Sequence, residues 1–388
     1  SGDDYYKTAS LGATAMFQNL LSTGYGMVGY GAHEDPYKDG DWRHSGHFKY
    51  IFTGLWPAIE FSADFNDRAA MDIQKIQVTK ERMYRLYNKG TLTDKPYFEG
   101  GLKVYIPFNF SSGGINRGLI PQVKYKFTND RYNDQILFQH IVKKDGKDVT
   151  ETYSTIGENN ISPLQTLDAS IRGYVMRQKA PSQVFPSLGF GAELGFHFRP
   201  GHMKAYNPTA YLYTYGYLPG FTARQGLRLT ASMEVWYGPY EEGGIMEGAL
   251  TAIPRGFVDT NLKSIINSCS ESRWRVTADY AIPFADVDWS FLSPVAYVKN
   301  FELTPFFDWS YQTFSWNHEL HYNPGAVMGE NLFSVGADLT VRLGNFFWLP
   351  YDTQIGIRYA RNFWHYIDRF PISNLNKDYI GWIFSISL

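Results

Sequence analysis

The chain has 388 residues, of which 17% are aromatic and only 19% are charged, whereas charged residues make up about 25% of a typical soluble domain. Its net charge of -2 at pH 7 gives no basic surface for nucleic acid. No segment approaches the roughly 18 uninterrupted apolar residues of a membrane-spanning helix, and the single cysteine, Cys269, excludes an internal disulfide.

Segments with strand-like alternation follow one another along almost the whole chain. In each, apolar residues on one parity alternate with small, polar or charged residues on the other, which is the period of a half-buried β-strand. The alternation is weakest in segments 134–143 and 244–252, and without these two the count falls from sixteen to fourteen. The predicted strands cover residues 22–33, 46–55, 58–66, 97–107, 119–128, 134–143, 166–178, 187–198, 208–217, 225–237, 244–252, 273–282, 301–314, 332–343, 352–362 and 379–388.

The clearest of these segments indicate what the two faces of the sheet contact. Between residues 188 and 198, Phe190 and Leu194 alternate with Gly191 and Glu193. Segments 227–235 and 333–343 show the same pattern, over about the nine to eleven residues of a tilted membrane-spanning strand. A closed barrel of this many strands has an interior too wide for side chains to fill. We therefore expect the apolar parity to face lipid.

The predicted fold class is all-β: a transmembrane antiparallel β-barrel of about sixteen strands, or of fourteen, that forms one domain over residues 1–388. The alternative is a soluble sandwich with the apolar parity in its core. In the barrel, short connections face the periplasm and long ones face outward, and aromatic residues form girdles at the interfaces. Four alternating tyrosines are expected near such a girdle: Tyr211, Tyr213, Tyr215 and Tyr217.

Motifs typical of enzymes and metal sites are weak in this chain. The segment from Gly24 to Gly29 fits the G-x-G-x-x-G dinucleotide pattern, but the strand and helix that this pattern requires around it are not evident. His318 and His321 lack the i, i+4 spacing of zinc hydrolases. No nucleophile, base and orienting acid can be assembled from the sequence. We therefore predict no enzymatic activity, no cofactor and no metal site.

The strongest local signal is the segment Ile253-Pro254-Arg255-Gly256-Phe257, which lies in the long connection before the strand at 273. It is followed by Thr277-Ala278-Asp279-Tyr280-Ala281-Ile282-Pro283 and then by Leu303-Thr304-Pro305-Phe306-Phe307-Asp308. This order of an R-G-F tip, an acidic-Tyr-x-x-Pro strand end and a hydrophobic-Phe-Asp strand resembles the BamA/TamA-type superfamily of outer-membrane assembly and translocation barrels. The resemblance covers residues 253–388. Pro254 departs from it, because the family usually has Val directly before the Arg.

The resemblance implies that this loop folds back into the barrel lumen. An arginine in a partly dehydrated lumen needs a carboxylate, which a guanidinium can hold by two parallel hydrogen bonds. Asp308 is the first expected partner of Arg255 and Asp279 the second. Gly256 would allow a tight reversal beside the wall, and Phe257 would anchor the loop by packing. The predicted lumenal loop lock therefore comprises Ile253, Pro254, Arg255, Gly256, Phe257, Asp308 and Asp279.

The resemblance also implies a weak seam between the first and last strands, where an incoming strand can add by backbone hydrogen bonding. The first predicted strand is rich in glycine and offers few side chains to hold a neighbour. The last predicted strand alternates almost without a break and ends on an apolar residue, as transmembrane barrels do. The predicted seam residues are Gly24, Gly26, Gly29, Gly31, Gly381, Trp382, Phe384 and Leu388.

From the resemblance we expect a barrel in the outer membrane of a Gram-negative bacterium. It would insert or export outer-membrane or surface proteins, or serve as the barrel subunit of a complex that does so. The expected partners are outer-membrane lipid, other subunits of a membrane complex, and unfolded or exported client proteins. The periplasmic modules of the family either precede this barrel in a longer protein, for example as a TolB-like propeller, or are replaced by separate partners. The alternative function is a passive pore or a structural scaffold barrel.

Overall fold

A computed structural model of the chain describes residues 11–35, 41–79, 86–180, 183–201, 208–236, 253–257, 272–290, 295–314, 328–346, 352–364 and 376–387. The fold of this part is all-β. None of its residues form a helix long and apolar enough to cross a membrane. The strands are β1 (Leu11–Gln18), β2 (Gly24–Glu34), β3 (Trp42–Phe52), β4 (Ala58–Thr79), β5 (Leu86–Tyr105), β6 (Phe108–Asn109), β7 (Ile115–Lys144), β8 (Lys147–Arg177), β9 (Gly189–Phe198), β10 (Thr209–Pro219), β11 (Gly226–Trp236), β12 (Ser272–Trp289), β13 (Tyr297–Phe314), β14 (Met328–Gly344), β15 (Asp352–Trp364) and β16 (Asp378–Ser387).

All sixteen strands of the described ranges belong to one sheet in which chain neighbours pair antiparallel, from β1 at one edge to β16 at the other. The two-residue strand β6 is the exception in this order, because it pairs only with β7. The far ends of β4 and β7 also pair with each other in parallel, between 72–79 and 131–139. The longest connection, residues 237–271, joins β11 to β12, whereas β7 and β8 at the same rim are joined by residues 145–146 alone.

The described residues form sixteen strands, as many as predicted, but two predicted segments belong to one strand and a third was not tested. The sheet begins with β1, which the sequence did not predict because Gly12, Ala13 and Ala15 blur the apolar alternation. Segments 119–128 and 134–143 are not two strands but parts of the single strand β7. Segment 244–252 lies outside the described residues.

The two faces of the sheet carry opposite kinds of side chain. Phe190, Leu194, Leu339 and Trp382 are about half exposed or more. The polar parity of the same strands lies on the opposite face, where Ser334 is fully buried. This arrangement contradicts the sandwich alternative, in which the apolar parity would form the buried core.

The sheet curls, with its polar parity on the concave face. Burial lowers the pKa of Lys179, just after β8, and the nearby carboxylates of Asp352 on β15 and Glu302 on β13 oppose this shift. Five strand-to-strand steps separate β8 from β13, which is roughly 24 Å in a flat sheet, and charges so far apart are screened in water. Phe185, in the same connection, covers the guanidinium of Arg228 on β11 at 4.9 Å. The connection between β8 and β9 therefore lies across the concave face.

The tyrosine ladder of β10 lies on the concave face and not at an outer girdle, so this prediction was wrong. Tyr211 donates a hydrogen bond to Glu193 at 2.8 Å, and Tyr215 accepts one from Arg172 at 3.2 Å. The rings of both tyrosines cover glycines of the neighbouring strand β9, which leave room for them. The outward parity of β10 carries Leu212 instead. The polar partners of the tyrosine hydroxyl groups therefore determine that the β10 tyrosines lie on the concave face.

The close packing of β14 against β15 can be tested by adding a methyl group at a glycine between them. A Cβ at Gly336 would collide with the backbone carbonyl of Tyr359 and would lie 2.7 Å from the ring of Phe306. We expect Gly336→Ala to lower the free energy of unfolding by about 1–3 kcal/mol, the usual cost of overpacking. Gly46→Ala is the matched control, since a Cβ there has nothing within 4 Å. Thermal unfolding in detergent, followed by circular dichroism, should show a lower Tm for the first variant only. Equal Tm values would contradict the packing.

Candidate functional site

The candidate site is a row of polar residues on the concave face together with the loop tip that covers it. The sheet register places Thr277, Asp308, Ser334 and Asn362 directly opposite one another on β12, β13, β14 and β15. Because side chains alternate between faces with period two, register partners point to the same face. The tip, residues 253–257, belongs to the connection between β11 and β12 and lies against this row.

Arg255 holds the tip against β13 and β12. Its backbone N–H and its Nε both donate to Asp308 Oδ2, at 2.8 and 2.9 Å, and Nη2 donates to Asp308 Oδ1 at 2.6 Å. Its Nη1 lies 2.6 Å from Asp279 Oδ1. Both carboxylates are almost fully buried. One guanidinium therefore bridges two adjacent strands and fixes both the position and the direction of the tip.

Two further arginines share these carboxylates. Arg228 of β11 donates from Nε and Nη2 to Asp279 Oδ2, at 3.0 and 2.9 Å. Arg275 of β12 donates to Asp308 Oδ2 at 3.1 Å. Three guanidiniums thus surround two carboxylates, and a polar cavity of about 330 Å³ lies beside them. The network joins β11, β12 and β13 to the tip and carries a net charge of +1.

The pKa of Arg255 is consistent with a permanent ion pair. Burial lowers this pKa, but the hydrogen bonds to Asp308 and the negative charges of Asp308 and Asp279 outweigh that effect and raise it above its usual value. The guanidinium is therefore charged at neutral pH, where it faces both carboxylates.

Gly256 extends the contact to β14 and β15. Its φ of +100° is a backbone conformation that side chains disfavour. A Cβ at this position would lie 2.6 Å from Asn362 Oδ1 and 2.7 Å from the Cβ of Ala360. The reversal directs the Gly256 carbonyl at Asn362, whose Nδ2 donates to it at 2.9 Å, while the Ser334 hydroxyl donates to the Arg255 carbonyl. Glycine is required here for both the conformation and the space.

Apolar and aromatic contacts complete the docking of the tip. Phe257 is buried and meets the ring of Trp364 edge to face, with centroids 6.3 Å apart. Ile253 and Pro254 are also buried. The guanidinium of Arg255 lies 4.0 Å from the ring centroid of Phe306. At this distance the face of an aromatic ring attracts a cation. The tip is therefore held by charge, by backbone hydrogen bonds and by packing at the same time.

The structure brings the predicted loop-lock residues together. Arg255 meets both of its predicted partners, and Pro254 fits into the docked turn. The sequence missed Arg228, Arg275 and Ser334, because their role depends on the register between strands. It also missed Asn362, and it assigned no partner to Phe257. Alternation alone places these residues on the polar face, but it does not say which of them lie opposite the tip.

The predicted seam residues are only partly at an edge of the sheet. Gly24, Gly26, Gly29 and Gly31 belong to β2, which is paired with β1 on one side and β3 on the other, so they do not form an edge. The prediction was wrong because β1 was not recognised. Gly381, Trp382 and Phe384 do lie in the edge strand β16, and Leu388 lies outside the described residues.

The β2 glycines make room for neighbouring side chains instead. A Cβ at Gly26 would meet the ring of Phe17 on β1, and one at Gly31 would lie 2.8 Å from the hydroxyl oxygen of Ser45 on β3. These contacts tie β2 to both of its neighbours, which is the opposite of a weak seam.

No protein-family model matches this chain, and no curated protein is significantly similar to it.

Replacing Arg255 tests the loop lock. We expect Arg255→Ala to lower the free energy of unfolding by about 1.5–3 kcal/mol, the usual worth of hydrogen bonds to charged groups, because Asp308 and Asp279 keep Arg275 and Arg228 as partners. The control is Arg361→Ala, whose ion pair with Asp378 is half exposed and 3.5 Å long and should contribute less than about 1 kcal/mol. Heat unfolding in detergent measures both. If the two variants melt alike, the buried pair does not stabilise the fold.

Proposed function

We propose that this chain is an outer-membrane β-barrel of the BamA/TamA-type assembly and translocation class in a Gram-negative bacterium. It acts in the insertion or export of outer-membrane or surface proteins, by itself or as the barrel subunit of a complex. The observation that carries this proposal is the docked tip, in which Arg255 bridges Asp279 and Asp308 on the concave face. The late R-G-F loop of that class folds back into the lumen, and this tip has the same position in the order of the segments.

The exposed apolar face supports a membrane location. In a soluble protein, water would contact large outward side chains such as Phe190, Leu339, Ile380 and Trp382. A face that exposes many large apolar side chains marks contact with lipid or another protein. An open groove of about 550 Å³ on this face is lined mostly by apolar residues such as Leu119 and Ile171, with Arg117 also in its lining, and would accept an apolar chain. In a bilayer, the sheet must also close so that no backbone group remains unpaired.

The two edges of the sheet support a seam. The described residues of β1 pair only with β2, and those of β16 only with β15. We place the seam between β1 and β16, and not between β2 and β16. β1 is rich in small residues, so it offers few side chains that could lock it to β16. An edge of this kind is a template for β-augmentation by an incoming client strand.

Locking the seam tests this proposal. In a Cys269→Ser background, Thr14→Cys in β1 is combined in turn with Ile383→Cys or Ser385→Cys in β16, and disulfide formation is induced in cells. We expect the crosslink to stop growth or outer-membrane assembly, and a reductant to restore both.

The control crosslink joins β15 to β16, between Gln354→Cys and Ser385→Cys, which are register partners. It should have no effect, because these strands stay paired in the open seam. A β1–β16 crosslink that forms fully and leaves assembly unchanged would exclude a gating role.

A passive pore is the second candidate, and the polar concave face favours it. Conductance in a planar bilayer separates the two functions. We expect the wild-type chain to show no steady large channel, because the tip and the β8–β9 connection lie across the concave face, and we expect Arg255→Ala to raise conductance by releasing the tip. Steady large channels from the wild-type protein would favour the pore.

A further inference from the structure

A second polar cluster lies on the concave face of β2, β3 and β4, away from the loop lock. The imidazole of His47 has a carboxylate at each of its ring nitrogens. Nδ1 lies 2.8 Å from Asp64 Oδ1, and Nε2 lies 3.3 Å from Asp67 Oδ1 and 3.2 Å from the hydroxyl oxygen of Ser45. The candidate ligand atoms of the three residues lie within 4.8 Å of one another, and all three side chains are partly exposed. They are therefore accessible from the concave side.

The backbone of β4 is shaped to bring the two carboxylates together. Asp64 is the register partner of His47 on the neighbouring strand. Asp67 is three residues further on, so a regular strand with period two would point it to the opposite face. Asn66 has a φ of +62°, and the pairing register shifts between Phe65 and Ala69. Bulges of this kind re-aim a side chain, and here the bulge returns Asp67 to the face of His47.

Neighbouring side chains hold this irregular segment in place. Arg43 donates to Asn66 Oδ1 at 2.9 Å, and Asn66 donates from Nδ2 to the His44 carbonyl at 2.9 Å. His33 of β2 donates from Nε2 to the backbone carbonyl of Asp67 at 2.7 Å. The position of Asp67 therefore does not depend on its contact with His47.

The charges of the cluster favour a cation. Two carboxylates face one imidazole, which carries at most a single positive charge. The nearby cations have other partners: Arg43 pairs with Asp35, and Lys49 pairs with Glu60 at 3.0 Å. A divalent ion would neutralise the remaining negative charge.

We infer that His47 and Asp67 bind a divalent transition-metal ion of the Zn²⁺ type, with Asp64 orienting the imidazole. Imidazole nitrogen with carboxylate oxygen is a donor set that suits Zn²⁺. Two ligands of a tetrahedral ion with bonds of 2.0–2.1 Å are about 3.3 Å apart, which is the distance from His47 Nε2 to Asp67 Oδ1. Asp64 accepts the Nδ1–H, the arrangement by which carboxylates orient metal-binding histidines. Water from the concave side fills the remaining positions.

Calorimetric titration of Zn²⁺ into the full chain, purified in detergent and stripped with a chelator, tests the site. We expect the wild-type protein to bind one more Zn²⁺ than His47→Ala or Asp67→Asn. Asp64→Asn should keep the site but weaken its affinity roughly 10- to 100-fold, as the loss of an orienting carboxylate does. Circular dichroism and heat unfolding without metal show whether each variant is folded.

The matched control is His197→Ala, which removes a histidine that pairs with the single carboxylate of Asp168. It should bind as many Zn²⁺ ions as the wild type. The proposal is overturned if folded His47→Ala binds Zn²⁺ as the wild type does, or if the wild-type protein binds none. It is also overturned if Ca²⁺ displaces Zn²⁺ from the protein at equal concentration. Ca²⁺ is bound by oxygen ligands, so such a result would mean that the imidazole of His47 is not a ligand.

Discussion

The structure depends on the strict separation of apolar and polar side chains between the two faces of one sheet. Because the outward face carries Phe, Leu, Ile and Trp, the buried ion pairs of the strands lie on the concave face. The concave face of the later strands is accordingly full of ion pairs. Arg342 meets Glu302, Arg358 meets Asp338, and Arg228 meets Asp279. The docked tip adds one more cation to a face that is already organised by charge.

This separation explains why an arginine, and not an apolar residue, holds the tip. A buried ion pair often contributes little net stability, since desolvation opposes the attraction between the charges. It does fix geometry, because the fork of a guanidinium fits a carboxylate in only a few orientations. The backbone N–H and the side chain of Arg255 both donate hydrogen bonds to the carboxylate of Asp308. The tip therefore cannot shift along the strand without losing several hydrogen bonds together. The lock thus specifies a position more than it adds stability.

Local alternation in the sequence was enough to predict part of the fold. The all-β class and the outward position of residues such as Leu339 and Phe384 required only the period of two, and the pairing of Arg255 with Asp308 and Asp279 was predicted from the order of three motifs. Features set by contacts between strands were not predictable in this way. β1 has small residues on both parities, and its strand character comes from eight register pairs with β2. The tyrosines of β10 have an apolar ring and a polar hydroxyl group, so alternation in the sequence does not determine which face of the sheet they occupy. Their hydrogen-bond partners Glu193 and Arg172 determine it.

Both candidate sites contain a residue with a positive φ angle. Gly256, at a φ of +100°, directs its carbonyl at Asn362, and Asn66, at a φ of +62°, returns Asp67 to the face of His47. At Asn66 this conformation costs free energy and persists because surrounding contacts compensate for it, here from Arg43 and the His44 carbonyl. At Gly256 the absence of a side chain removes most of this cost. A regular strand can present only every second residue to the concave face. The irregular step at Asn66 is therefore the way in which β4 places an additional polar group there, whereas the tip reaches the concave face from the connection between β11 and β12. Loss of one site should therefore leave the other intact.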